Sequence, residues 1–224
     1  NWFERNSKIG GSNPFLSGFS PGALSDKTQS LPSATIFLSS ADEFVAMDPS
    51  EWPETVWGTD QEKAFNRLIP ELTQMGFAVN LRMHPNLLNK SWKEFRRVHR
   101  AYAKLNASVF GPTSRISSYE LIQASDIVLT WGSTIGLEAV KMGKPTWQLG
   151  RSYFDLIADV RSLPLSLPRI QDLYYGVRPL SAVRFIAAIS SENITVSRAL
   201  PAEVSESWQQ LPRVARGRRL LRHV

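Results

Sequence analysis

The sequence predicts an α/β fold, a Rossmann-like open parallel sheet flanked by helices, with irregular N- and C-terminal extensions. Short apolar runs rich in β-branched and aromatic residues alternate with segments whose apolar residues recur at helical spacing. The connections are short, and strict strand–helix alternation is typical of a parallel sheet. A composition of 42% hydrophobic and 21% charged residues over 224 positions is that of a globular protein.

The alternation divides the chain into four segments. Residues 1–33 are rich in Ser, Gly, Pro and Asn, which predicts a linker or an irregular packed arm. Residues 34–160 carry the strand and helix patterns and predict the Rossmann-like domain. Residues 161–212 are Pro-rich at first, with one helical stretch, "SAVRFIAAISSE". Residues 213–224 form a basic tail.

The first elements can be placed in order. "ATIFLS" predicts a buried strand, and "DQEKAFNRLIPELTQMG" predicts a helix with Asp60 as N-cap and Gly76 as C′ residue. Pro70 inside that helix predicts a kink or an early break. "FAVNLRM" predicts the next strand, which leaves the sheet through His84-Pro85-Asn86.

The following helices carry N-terminal capping signals. "SWKEFRRVHRAYAKL" begins with Ser91 and has Glu94 three positions on, and "SSYELIQAS" repeats this capping-box pattern with Ser117 and Glu120. "SVFGP" between them predicts a short strand. The last elements are a strand, a helix and a strand, at residues 126–130, 134–142 and 146–149.

The charge distribution separates body from tail. The net charge is +6, but the tail holds five Arg and no acid, which leaves 21 basic and 20 acidic residues elsewhere. The tail predicts contact with anionic membrane headgroups or nucleic acid, or a solvated terminus. We expect no nucleic-acid partner for the body, since no basic stripe with interleaved aromatics is evident there. The absence of Cys suits a reducing cytoplasm, so we expect a cytoplasmic location.

Polar side chains follow three predicted strands. They lie in Ser39 to Asp42, His84 to Asn86 and Gly132 to Thr134. Ligands of open parallel sheets bind outside the carboxyl ends of the strands. We therefore expect these three exits to converge on one binding site.

The strand exit with the most candidate binding residues lies in "TWGSTIGLEAVKMGKP". Gly132 permits a tight turn, while Ser133 and Thr134 place hydroxyls at a helix start that favours an anion. Gly136 would keep the first turn slim enough for a phosphate. The alternative is ordinary N-capping by Ser or Thr.

Glu138 is misplaced for a capping box. With Ser133 or Thr134 as cap, the third helical residue is Gly136 or Leu137. Glu138 therefore either pairs with Lys141 on the surface or accepts hydrogen bonds from ribose or sugar hydroxyls. The spacing favours neither option.

Two further residues are candidates for catalysis. His84 at a strand exit can donate to a phosphate, act as acid or base, or be a hydrogen-bonded structural His. Asp42 is either a helix cap or a catalytic carboxylate. No His pair has metal-ligand spacing, and no dinucleotide, P-loop or D-x-D motif is present, so we expect neither a metal site nor a cofactor.

"SSYELIQASDIVLTWGSTIGLEAVKMGKPTWQLG", with "LRMHPN" upstream, resembles bacterial capsule polysaccharide biosynthesis proteins of the Kdo-transferase type. More broadly it is similar to the C-terminal nucleotide-sugar domain of GT-B glycosyltransferases. The resemblance implies that Ser133 and Thr134 contact the donor phosphate, that Glu138 contacts ribose or sugar hydroxyls, and that His84 lies near the phosphate.

The resemblance also implies partners and activity. The donor would be a CMP- or UDP-activated sugar, the acceptor a glycan or glycolipid, and the reaction an inverting, metal-independent transfer at the inner face of the cytoplasmic membrane. Acceptor and base usually belong to an N-terminal domain, so a partner domain or chain is expected, and the isolated chain is expected to be inactive without it. Alternatives are a sugar-nucleotide 2-epimerase, a polyol-phosphate transferase, or a non-catalytic assembly subunit.

Overall fold

The computed structural model describes residues 31–40, 55–152, 154 and 159–190. Its centre is a sheet of six strands within these residues, all parallel, in the order β3-β2-β1-β4-β5-β6. The strands are β1 Ser33–Phe37, β2 Ala78–Arg82, β3 Ser108–Phe110, β4 Ile127–Thr130, β5 Thr146–Gln148 and β6 Val160–Ser162. This is the strand order of a Rossmann-like, doubly wound sheet, and the predicted fold class is confirmed.

Helices cover both faces of the sheet. They are α1 Gln61–Gln74, α2 Trp92–Tyr102, α3 Ser118–Ala124, α4 Ile135–Lys141 and α5 Pro179–Ser190, with 3₁₀ helices at Pro85–Asn89 and Ile170–Leu173. On one face α1 and α2 bury Phe65 and Tyr102 in a core with Ile36. On the other, Leu121 of α3 and Ala139 of α4 pack with Val128 and its neighbours. The alternating side chains of the central strands therefore face two separate cores.

Helix α1 begins and ends where its sequence predicts. The Asp60 carboxylate accepts a hydrogen bond from the Lys63 amide at 3.1 Å, and Gly76 takes a φ of +88° beyond the last turn. Pro70 does not end the helix, which continues to Gln74. Pro70 lies on the exposed side, where solvent can satisfy the carbonyl that loses its donor.

One of the two predicted capping boxes forms completely. The Ser117 hydroxyl accepts from the Glu120 amide at 3.0 Å, and the Glu120 carboxylate accepts from the Ser117 amide at 2.8 Å. In α2 only half of the box is present: Ser91 caps the Glu94 amide, whereas the Glu94 carboxylate pairs with Arg97 at 3.0 Å. A nearby cation has replaced the helix start as the partner of that carboxylate.

The Gly143-Lys144-Pro145 turn ends one helix and caps another. Gly143 takes a φ of +76°, and the Lys144 amide donates back to Ala139 O at 3.0 Å, which closes α4 with a Schellman motif. The Lys144 ammonium then donates to the carbonyls of Gln123 and Ser125, at 2.8 and 2.7 Å, at the end of α3. Hydrogen bonds from Lys144 therefore connect the C-terminal ends of α3 and α4.

The sequence did not predict β6, which adds a parallel strand beyond β5. The irregular chain after it is anchored by indole groups: Trp57 Nε1 donates to Leu163 O at 2.8 Å and Trp147 Nε1 to Leu173 O at 3.0 Å. The helix predicted from "SAVRFIAAISSE" is α5. Most of the predicted arm, residues 1–30, and the whole basic tail lie outside the described residues.

Candidate functional site

The residues that follow β1, β2 and β5 still hydrogen-bond to the neighbouring strand, so these strands end beside one another at the carboxyl edge of the sheet. Leu38 N donates to Arg82 O at 3.0 Å, Met83 N to Phe110 O at 2.9 Å, and Leu149 N to Thr130 O at 3.0 Å. Since β2, β1 and β4 are neighbours, the predicted exits at Ser39, His84 and Gly132 lie at the same edge. The connection order reverses between β1 and β4, which is where open α/β sheets bind ligands. Asp42 lies outside the described residues.

The turn after β4 is held by Thr130. Its hydroxyl accepts hydrogen bonds from the amides of Gly132 and Ser133, at 3.2 and 2.9 Å. Gly132 has a φ of +139°, which a residue with a side chain rarely adopts. The Ser133 amide is thus occupied within the turn. In the part of the chain that the structure describes, the next two amides, of Thr134 and Ile135, have no acceptor.

The hydroxyls at this turn do not serve the helix. Thr134 is the N-cap residue of α4, yet its backbone is already helical, with φ −56° and ψ −17°, and its side chain makes no capping hydrogen bond. Ordinary N-capping by the Ser133 or Thr134 hydroxyl is therefore not the arrangement in this helix.

Gly136 faces the sheet. A Cβ atom at this position would lie 3.2 Å from Thr130 Cγ2 and 3.6 Å from Thr146 Cγ2. The close approach that this glycine permits is that of α4 to β4 and β5, and not that of a phosphate to the helix.

Glu138 is buried, with a side chain only 7% exposed, and its Oε2 atom has no hydrogen-bond partner. Burial raises its pKa to about 7, against smaller opposing effects of a hydrogen bond from Tyr119 of α3 and of the charge of Lys141. A surface salt pair with Lys141 does not describe this environment. The carboxylate instead lies between two helices that both begin at the carboxyl edge.

Arg82 is a site candidate that sequence reasoning missed. It is the last residue of β2, 2% exposed; its Nη1 donates to Gly111 O at 2.9 Å, and its Nε has no partner. No carboxylate pairs with it among the described residues. Burial lowers its pKa, but a guanidinium stays charged in proteins. The available signal was a lone Arg at the end of an apolar strand, two residues before His84.

His84 lies at the exit of β2 and begins the first 3₁₀ helix. Its Nδ1 accepts a hydrogen bond from the Asn86 amide at 3.2 Å, so Nδ1 is unprotonated. A neutral imidazole in this arrangement carries its proton on Nε2, which makes the other nitrogen a donor. Part of the role of His84 is therefore structural.

Ser39 has its backbone fixed and its side chain unpaired. Gln61 at the start of α1 accepts from the Ser39 amide at 2.8 Å and donates to its carbonyl at 3.2 Å. The buried Ser39 hydroxyl has no partner. Ser39 Oγ, Arg82 Nε and Glu138 Oε2 are thus three buried polar atoms without partners, in elements that meet at the carboxyl edge.

The exit of β5 approaches that of β4 closely. A Cβ on Gly150 would lie 1.8 Å from Trp131 O, so only glycine fits there. Arg151, which follows, is half-buried. Tyr153 and Asp155, the other polar residues of this exit, lie outside the described residues.

Within the described ranges, no group of three or more His, Cys, Asp or Glu side chains is arranged to hold a metal ion. In the same part of the chain, no helix is long and apolar enough to cross a membrane.

Comparison with known proteins bears on the segment that carries most of this site. Residues 74–159 match the family model of capsule polysaccharide biosynthesis proteins. The predicted resemblance to that family is confirmed over this segment, which is less than half of the chain and contains Arg82, His84, Gly132 and Glu138. No curated protein sequence matches the chain.

A solved structure is also similar in part. The beta Kdo 2,4 transferase KpsC of Thermosulfurimonas dismutans aligns at 12% identity with a TM-score of 0.46. The alignment covers 73% of this chain and 46% of that chain. The chain thus spans less than half the length of this structural neighbour.

Proposed function

We propose that this chain is the donor-binding part of a glycosyltransferase of bacterial capsule or cell-surface polysaccharide synthesis. Its donor would be a CMP- or UDP-activated sugar. The family match over residues 74–159 supports the biological setting. The observation that carries the proposal is the set of three buried, unpartnered polar atoms, on Ser39, Arg82 and Glu138, in elements that meet at the carboxyl edge.

These three groups fit the chemistry of an activated sugar. Buried polar atoms almost always have a partner, so one guanidinium nitrogen, one hydroxyl and one carboxylate oxygen without partners at one sheet edge favour a ligand that supplies them. A guanidinium suits a phosphate. A carboxyl group suits the hydroxyl groups of ribose or of the transferred sugar, with which it can form hydrogen bonds.

The residues at the β4 exit would add to phosphate recognition. The amides of Thr134 and Ile135 and the Ser133 hydroxyl are not used within the turn, and α4 begins there. When the bond between the sugar carbon and the phosphate oxygen breaks, negative charge grows on the departing nucleotide. Arg82 and these donors would stabilise that charge without reorganising.

His84 fits a donor role better than that of the base. Its Nδ1 already accepts from the Asn86 amide, so a proton donated by His84 to a phosphate would come from Nε2. The proton released by the acceptor hydroxyl would then go to another group, either Asp42 or a residue of the expected partner domain. Such an arrangement inverts the sugar carbon by in-line attack of the acceptor oxygen.

Calorimetry with nucleotides tests the proposal. Wild-type protein should bind CMP or UDP, and Arg82→Met should weaken nucleotide binding about 10- to 100-fold, because a charge-assisted hydrogen bond contributes about 1.5–3 kcal/mol. The loss should vanish for the phosphate-free nucleoside. Glu138→Gln should weaken nucleotide binding but leave the dideoxy analogue unaffected. Arg184→Gln, on the exposed side of α5, is the control. A folded wild-type protein that binds neither nucleotide contradicts the proposal.

The acceptor would be a glycan or glycolipid at the inner face of the cytoplasmic membrane, with the basic tail contacting anionic lipid. Transfer from a radiolabelled donor to membrane extracts, by this chain alone and with its genetic neighbours, tests this assignment. Activity that requires a second chain would support an acceptor-binding domain on that chain.

A further inference from the structure

Helix α2 carries a basic surface that the near-neutral charge of the body conceals. Residues 90–104 contain six Lys or Arg and one acid. The four of these cations that lie in α2 alternate with Trp92, Phe95 and His99. The expectation that the body has no basic stripe with interleaved aromatics is therefore wrong for this helix.

These cations differ in whether a neighbouring carboxylate neutralises them. Arg97 pairs with Glu94 at 3.0 Å and with Glu62 at 2.8 Å. Lys93, Arg96 and Arg100 are exposed, and none has a carboxylate partner in the ranges that the structure describes. At 100° per residue, these three side chains lie on one side of α2, on the same side as Trp92 and away from the buried Tyr102.

Trp92 is the most exposed large apolar residue of the described chain, at 69%. Its ring stacks on Phe95 with centroids 5.5 Å apart, and the Arg96 guanidinium lies over it at 5.7 Å. Leu88, in the preceding 3₁₀ helix, is 46% exposed. The protein therefore holds an indole at its surface beside three unpaired cations and a second apolar side chain.

We propose that this surface, formed by Leu88, Trp92, Lys93, Arg96 and Arg100, docks on an anionic lipid bilayer. The unpaired cations complement phospholipid headgroups, each contributing about a fivefold increase in partitioning. Trp92 and Leu88 suit the boundary between headgroups and acyl chains.

The aromatic geometry argues against nucleic acid as the occupant. Bases bind to open aromatic faces. Here Phe95 covers one face of Trp92 with an interplanar angle of 12°, and Arg96 lies over the ring. A base stacked on Trp92 would have to compete with these two contacts, whereas insertion among lipid headgroups leaves them in place.

The position of α2 gives this surface a function. The helix follows the exit of β2 by way of the 3₁₀ helix that His84 begins. Its Trp92 end therefore lies toward the carboxyl edge of the sheet. Docking through this end would hold that edge near the membrane, where a lipid-linked molecule is accessible.

Vesicle co-sedimentation of the full chain tests the proposal. Wild-type protein should sediment with vesicles that contain phosphatidylglycerol, should not do so with phosphatidylcholine alone, and should dissociate as salt is raised. Replacing Lys93, Arg96 and Arg100 by Gln should lower partitioning on the order of a hundredfold. Trp92→Ser should lower it further.

A second triple variant is the matched control. Replacing Lys63, Arg169 and Arg184 by Gln removes the same charge from exposed positions elsewhere, and should lower partitioning only a few-fold. When residues 213–224 are deleted from both proteins, the α2 triple variant should still partition into vesicles less than the protein with the wild-type α2. Equal losses in both triple variants would overturn the proposal. So would an α2 variant that binds vesicles like wild type but loses binding to an RNA oligonucleotide.

Discussion

Glu138→Gln should change how the stability of the protein depends on pH. Glu138 is 7% exposed, its Oε2 atom has no partner, and its pKa is raised from 4.5 to about 7, mainly by burial. In the unfolded chain the same group titrates near its ordinary value. The folded protein therefore keeps a proton that the unfolded chain has already released.

The difference between the folded and unfolded pKa of Glu138 makes the unfolding free energy depend on pH. Because the folded-state pKa is raised, the stabilisation is fully present below pH 4.5 and is lost as pH rises through about 7. A shift of this size corresponds to about 3 kcal/mol between the two limits. Wild-type protein should thus become less stable between about pH 5 and pH 8 by an amount of this order.

Urea unfolding of wild type and Glu138→Gln across this pH range measures the effect. The Gln variant cannot ionise, so the difference in unfolding free energy between the two proteins should grow with pH in favour of the variant. Lys141→Gln, which removes only a minor opposing charge, should leave the wild-type slope nearly unchanged. Parallel pH profiles for wild type and Glu138→Gln would refute the assignment of a buried carboxylate with a raised pKa.

Three further perturbations probe the same edge of the sheet. Gly150→Ala places a Cβ 1.8 Å from Trp131 O and should destabilise the protein by about 3 kcal/mol in urea unfolding. Gly176→Ala is the control, since a Cβ there meets nothing within 4 Å, and it should change stability by less than about 1 kcal/mol. Equal losses of stability in the two variants would contradict the close approach of Gly150 to Trp131. Arg82→Met removes a buried charge that has no carboxylate partner among the described residues, together with its hydrogen bond to Gly111 O. It should raise the unfolding free energy by about 1 kcal/mol even as it weakens nucleotide binding, whereas a large loss of stability would mean that a carboxylate partner exists. Tyr119→Phe removes a hydrogen bond that lowers the pKa of Glu138. An NMR titration of the Glu138 carboxyl carbon in this variant should therefore show a pKa higher than that of wild type. An unchanged pKa would mean that Tyr119 does not hydrogen-bond to Glu138.

Much of the fold could be predicted because its signals are local in sequence. Asp60 and Gly76 bound α1, and Ser117 with Glu120 forms a reciprocal box, since a capping residue finds its partner within three or four positions. The one box that failed, at Ser91, failed because Arg97 took the Glu94 carboxylate. β6 escaped prediction because Val160 is its one apolar residue, and its other two residues, Arg161 and Ser162, are polar and exposed.

The sequence by itself determined the strand and helix alternation, the order in which polar residues leave the strands, and the misplacement of Glu138 for capping. Only the tertiary structure decided which of these groups are buried without partners. Burial and pairing depend on contacts between residues far apart in the chain, such as Tyr119 with Glu138 and Arg82 with Gly111. The same dependence hid the basic face of α2, since a net charge does not record which cations have a neighbouring carboxylate.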